Sequence, residues 1–261
     1  MKKIEKSSVL GLKAADATAD IGLINKYSRK ELTPEEVYCF SVILCDNEVD
    51  RDNERFTVNA LEQLAGLFVG KTGIFDHRWE AKGQIARLYR VNVEETTGKN
   101  SMGESLCVLR GSAYMLRTEE NQPVINAIEG GILKEISVGF SVKKIVCSIC
   151  GEAMGWDGCP NGHHKGDICE GKLCVGELCD PTDAYEFSFV AVPAQRGAGV
   201  TKSLSDTKAA LEELLASDIS GEPDMVSALS EYCKAMQMSV EERERRKRLI
   251  SENIKFLEGK D

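Results

Sequence analysis

The stretch "CSICGEAMGWDGCPNGHHKGD" sets Cys147 and Cys150 two residues apart, then Cys159, then His163 after three more residues. A pair at that spacing turns both side chains towards one ion, and two such pairs across a short loop suit a tetrahedral Zn(II). Cys147, Cys150, Cys159 and His163 are therefore the expected ligands, with His164 equivalent by spacing. Glycines and Pro160 suit tight knuckle turns, and Trp156 is expected to cover the site. Four protein ligands leave no position for a reacting water, so this zinc is read as structural. Cys169, Cys174 and Cys179 follow a four-residue spacing that fits no metal template and stay unassigned.

With His163 and His164 inside the cysteine-rich stretch, His77 is the one imidazole left for acid–base chemistry. It ends the apolar run "GIFDH", and a strand end presents its side chain to a cleft. Acyl transfer needs a nucleophile, a neutral imidazole and a third group on the second ring nitrogen. Ser137 in "EISVGF" and Glu186 in "AYEFSFVAVPAQ" can supply the other two, and Ser141, four residues along the same strand face, competes with Ser137 by pattern. Gly-x-Ser-x-Gly and His-Glu-x-x-His are both absent, which argues against an α/β-hydrolase and a zincin.

The elements that must position these residues are mostly strands. Runs rich in β-branched and aromatic residues predict strands at Val37–Asp46, Thr72–His77, Gly83–Thr96, Ser105–Leu116, Glu135–Val146 and Tyr185–Pro193. Apolar residues at helical spacing predict helices over Val58–Gly70 and Asn121–Leu133. The expectation is an α+β fold, a mainly antiparallel β-barrel with peripheral helices. It occupies residues 37–201, after an N-terminal arm at 1–36, with a cysteine-rich insertion at 147–180. Residues 202–261 read as a helical extension, with helices at Ser205–Ala216, Pro223–Met238 and Ser239–Glu258, and i,i+4 ion pairs in the last.

The chain has 261 residues, enough for one substantial domain with an appendage. A formal net charge of −9 argues against a sequence-independent hold on nucleic acid. No run of 18 apolar residues occurs, and the basic N-terminus lacks an apolar signal core, so a cytosolic protein without a membrane span is expected. Ten cysteines in such a chain suit reduced thiols or metal ligands better than disulfides.

In this order, "FDH", "ISVGF" and the E-x-S-x-V-x-x-P-A run of Glu186, Ser188, Val190, Pro193 and Ala194 resemble the caudovirus prohead protease family. These are the capsid maturation proteases of tailed phages, related in fold to the herpesvirus assemblins. The resemblance covers roughly residues 38–198. It implies a serine endopeptidase with Ser137 as nucleophile, His77 as general base and Glu186 as the orienting third member. Asp183 and Asp76 are the alternatives to Glu186, and Arg196 would correspond to an arginine near the oxyanion site. An "H-x-K-G" run similar to one in some relatives favours His163 over His164 as ligand. Implied partners are scaffold and major capsid proteins, met inside the procapsid in the host bacterial cytoplasm. Self-cleavage is expected at the junction "QRGAGVTKSLSD", and a homo-oligomer stays open. Two other classes remain in play: a zinc-stabilised assembly protein that has lost the chemistry, and a zinc-ribbon module on nucleic acid.

Overall fold

The computed structural model of the chain describes residues 17–201; the helices expected after Thr201 lie outside them. The described chain begins with α1 (Ala17–Ile24). It continues through β1 (Val37–Asp46), β2 (Glu54–Phe56), α2 (Val58–Phe68), β3 (Thr72–Phe75), β4 (Ala86–Lys99) and β5 (Ser105–Leu116). After α3 (Gln122–Glu129) come β6 (Ile136–Cys147), the two-residue strands β7 (Ile168–Cys169) and β8 (Lys172–Leu173), β9 (Gly176–Phe189) and β10 (Gly199–Thr201).

One eight-stranded sheet runs β10-β1-β5-β4-β3-β9-β2, with β6 on the other flank of β9. The fold is α+β and dominated by strands, as expected, but the sheet departs from the expected barrel in two ways. It is mixed, because β2 and β3 both run parallel to β9. It is also not closed: between β6 and the β10 edge there is a single bridge, Glu135 to Gly199, and the ladder goes no further. The physical reason is length, since β10 has three residues and spends its pairing on Ser41–Ile43 of β1.

The long strands form where alternation puts one face into the core. Phe40, Val42 and Leu44 of β1, Leu109, Ala113 and Met115 of β5, and Phe187 and Phe189 of β9 are all buried in one cluster. Thr57 caps α2 by accepting the Ala60 N–H at 3.2 Å, and Leu61, Leu64 and Phe68 turn its apolar stripe into that cluster. β9 begins nine residues before the predicted Tyr185, because Gly176–Ala184 are paired along β6 despite Asp180, Pro181 and Asp183. Residues 176–180 of the expected cysteine-rich insertion are thus part of β9.

The expected self-cleavage junction also starts in ordered chain. Gln195 is buried and hydrogen-bonds both ways with the Asp46 backbone, at 2.6 and 3.0 Å, and Gly199–Thr201 are in the sheet. Among the described residues no helix is long and apolar enough to cross a membrane.

Gly73 lies opposite Phe187 in the β3–β9 ladder, and a Cβ there would overlap the Phe187 ring. Gly73→Ala is expected to lower unfolding free energy by about 1–3 kcal/mol, the usual cost of overpacking a core. Urea unfolding measures it, and an unchanged midpoint would show that the ring can move aside freely.

Candidate active site and metal centre

His77 is held by the turn that follows β3. Asp76 and His77 have φ of 51° and 55°, and the Arg78 N–H donates to the Phe75 carbonyl at 2.9 Å. Two successive left-handed residues closed by that bond are the pattern of a type I′ turn. Asp and His are among the non-glycine residues that tolerate this region best. Two further bonds tie the turn to β9: Asp76 N–H to the Phe189 carbonyl at 3.0 Å, and His77 N–H to Ser188 Oγ at 3.1 Å.

The imidazole then meets Glu186, with Nδ1 and Oε1 2.8 Å apart. A carboxylate only accepts, so Nδ1 carries the proton and Nε2 is left free. Glu186 is 2 % exposed and its second oxygen accepts the Ser188 hydroxyl at 2.6 Å, so both oxygens of a buried carboxylate are satisfied. Ser188, wholly buried, is thus a two-way link: its hydroxyl donates to Glu186 and accepts the His77 backbone. In the sequence Ser188 is one member of the E-x-S-x-V-x-x-P-A run, with no role of its own. The available signal was its place two residues after Glu186, which puts both on one strand face.

Ser137 is opposite Ser188 in the β6–β9 register, and Gly139 is opposite Glu186. Directly opposed residues share a face with Cα atoms about 5 Å apart. Ser137 is half-buried, and no hydrogen bond links its hydroxyl to His77. Such bonds are often long before substrate arrives. The neighbouring glycine has a steric reason, since a Cβ on Gly139 would overlap Glu186 Oε1.

The competing residues are engaged elsewhere. Ser141 shares a 2.7 Å hydrogen bond with Thr182, and Asp183 pairs with Lys71 at 3.2 Å. Asp76 is exposed in the turn, and it is Glu186 that meets the imidazole. Arg196 is exposed and acts on Glu48. Burial raises the Glu48 carboxyl, but hydrogen bonds from Ser101 and Val49 and the Arg196 charge bring it below its ordinary value. A cleft of about 450 Å³, lined by Arg55, Glu95, Glu104 and Glu177 among others, includes none of the four residues at the His77 site.

A scan of protein-family models, a search of curated proteins and a search of solved structures each find no match to this chain.

At the far end of the same two strands, Cys147, Cys150, Cys159 and His163 bring their ligand atoms within 4.8 Å of one another and could hold a metal ion. Both halves are glycine knuckles. Gly151 (φ 77°) follows Cys150 and donates to the Cys147 carbonyl at 2.9 Å; Gly162 (φ 76°) precedes His163 and donates to the Cys159 carbonyl at 2.9 Å. Cys150 and Cys159 sulfurs are 3.6 Å apart, and His163 Nδ1 is 3.6 Å from Cys147 Sγ and 3.4 Å from Cys159 Sγ. Tetrahedral ligands at about 2.0–2.3 Å from an ion would be separated by about 3.5–3.8 Å, and these three separations are close to that range.

His164 instead faces Asp167 at 3.3 Å, which settles the spacing ambiguity in favour of His163. Trp156 is 98 % exposed and covers nothing; the apolar packing comes from Met154, with Cys174 beside it. Cys174 Sγ is 3.7 Å from Cys147 Sγ yet outside the four-ligand group. None of the described cysteines is in a disulfide.

The backbone N–H of Glu152, with Asn161 and His163, lowers the Cys150 thiol to about 6. Burial raises Cys147, but the N–H groups of Cys150 and Ile149 outweigh it and leave that thiol below its ordinary value. Hydrogen bonds donated to the Cys150 and Cys147 sulfurs raise His163.

Metal binding requires these thiols and the imidazole to be deprotonated. One equivalent of divalent metal is expected at neutral pH, with affinity falling as the pH is lowered and protons compete for the thiolates and the imidazole. His163→Ala is expected to abolish stoichiometric binding and His164→Ala to leave it intact. Elemental analysis of the reduced protein checks all three.

Gly139→Ala tests the other centre. It is expected to break the His77–Glu186 contact without unfolding the chain, and loss of the low-field Nδ1 proton resonance in NMR spectra would report it.

Proposed function

We propose that this chain is a serine endopeptidase of the capsid-maturation type, with Ser137 as nucleophile, His77 as general base and Glu186 as orienting group. The observation that carries the reading is the 2.8 Å bond from His77 Nδ1 to a buried Glu186, which leaves Nε2 available beside the strand bearing Ser137. A base whose second nitrogen is fixed by a carboxylate is what acyl transfer requires.

In this mechanism the Ser137 Oγ attacks the peptide carbonyl as Nε2 takes its proton. Collapse of the tetrahedral intermediate breaks the C–N bond, and Nε2 returns the proton to the leaving amine. Water, deprotonated by the same nitrogen, then releases the acyl group. Glu186 balances the charge on the imidazolium, and Ser188 keeps the carboxylate and the His77 backbone in place.

The metal is zinc in this reading, since three thiolates and one imidazole suit Zn(II), and its role is structural because the protein fills all four positions. The substrates would be scaffold and major capsid proteins inside the procapsid, in the host bacterial cytoplasm.

Treatment with a serine-directed aryl phosphonate is expected to add one mass equivalent at Ser137 in the native chain and none in Ser137→Ala. His77→Ala is expected to slow labelling and peptide hydrolysis by at least ~10³-fold, as removal of a triad member does. A native chain that resists labelling would leave a zinc-stabilised assembly protein without the chemistry.

A further inference from the structure

Two exposed aromatic rings border the His77–Glu186 pair. Trp79, 71 % exposed, is two residues past His77, and Tyr185, 39 % exposed, immediately precedes Glu186. Their centroids are 5.4 Å apart with planes inclined at 53°. The tilted contact is favourable for aromatic quadrupoles, and it leaves much of both rings in water.

Backbone features place each ring. The β6–β9 register slips by one residue here, with Gly139 opposite Glu186 and Phe140 opposite Ala184. Tyr185 is thus the extra residue of a β-bulge, the device by which a strand re-aims a side chain beside a site. Trp79 leaves the left-handed turn, whose exit is tightened by the Glu80 N–H donating to the Arg78 carbonyl at 2.8 Å. Buried Glu186 and exposed Tyr185 are consecutive, so the bulge sends one side chain into the catalytic network and the other to the surface beside it.

We propose that Trp79 and Tyr185 form the specificity subsite of the candidate peptidase, binding an aromatic or branched aliphatic side chain of an extended polypeptide within about four residues of the cut bond. The inference rests on the serine-peptidase reading and adds the substrate class to it. Ring faces in water gain from burial against an apolar side chain, and two rings meeting at an angle accept it from two sides.

The test profiles cleavage of a peptide library, made by digesting denatured bacterial protein, with the cut sites read by mass spectrometry. Native chain, Ser137→Ala, Trp79→Ala, Tyr185→Ala and the conservative Trp79→Phe are compared. The expected result is Ser137-dependent cleavage with Phe, Tyr, Leu or Ile enriched at one position near the cut. Trp79→Ala and Tyr185→Ala should reduce that preference at least ~10-fold, and Trp79→Phe should largely keep it. A merely structural role would slow all peptides alike and leave the preference unchanged.

Ser137-dependent cleavage without an apolar preference, or with one that survives both alanine variants, overturns the subsite while the peptidase reading stands. So does a preference for basic or acidic residues. Absence of any Ser137-dependent cleavage overturns the peptidase reading and the subsite together.

Discussion

The pairing of β6 with β9 is the constraint on which both centres depend. It runs from Ile136 opposite Phe189 to Cys147 opposite Gly176, so two strands with 28 residues between them share almost their whole length. One end brings Ser137 beside Ser188 and Gly139 beside Glu186; the other delivers Cys147 into the cysteine cluster. A slip of one residue would turn every side chain to the opposite face and separate Ser137 from the Glu186 row. Phe187 and Phe189 guard against that slip, because their burial in the core fixes which face of β9 points inward.

A buried carboxylate imposes the next requirement. Glu186 lies in a strand whose last four residues are all buried, where an unpaired charge would be costly. The structure answers with a hydroxyl from its own strand and an imidazole from the turn after β3. That arrangement needs the parallel β3–β9 pairing, which sets Ile74 opposite Ser188 and lets the next three residues turn back over it. It also needs glycine at position 139, since any side chain there would take the space of the carboxylate. The left-handed turn, the glycine and the two donors are therefore parts of one solution.

The metal end is anchored separately. Arg55 of β2, mostly buried, bonds to Glu104 and to Glu177 of β9, both at 2.5 Å, and Lys165 from the insertion reaches Glu54 at 2.7 Å. Charge-assisted contacts of this kind fix the base of the insertion to the sheet. A segment of under thirty residues draws little cohesion from a core of its own, and a metal ion held by Cys147, Cys150, Cys159 and His163 would supply it.

Much of this was legible in the residues themselves. β1 and β5 have the ends that their alternation predicts, and both ligand pairs, Cys147 with Cys150 and Cys159 with His163, announce themselves by spacing. These are local signals, carried by neighbours along the chain. The first half of β9 was not legible, because Asp180, Pro181 and Asp183 speak against a strand and only the ladder to β6 overrides them. Spacing alone leaves His163 and His164 equal, and direction separates them: one ring faces two sulfurs, the other faces Asp167. Ser188 belongs with these, a small polar residue in an apolar strand until the turn after β3 is laid across it. Composition and period determined which segments become strands and which residues can do chemistry. Their partners were decided by hydrogen bonds that close over more than a hundred residues, a distance at which no local pattern carries information.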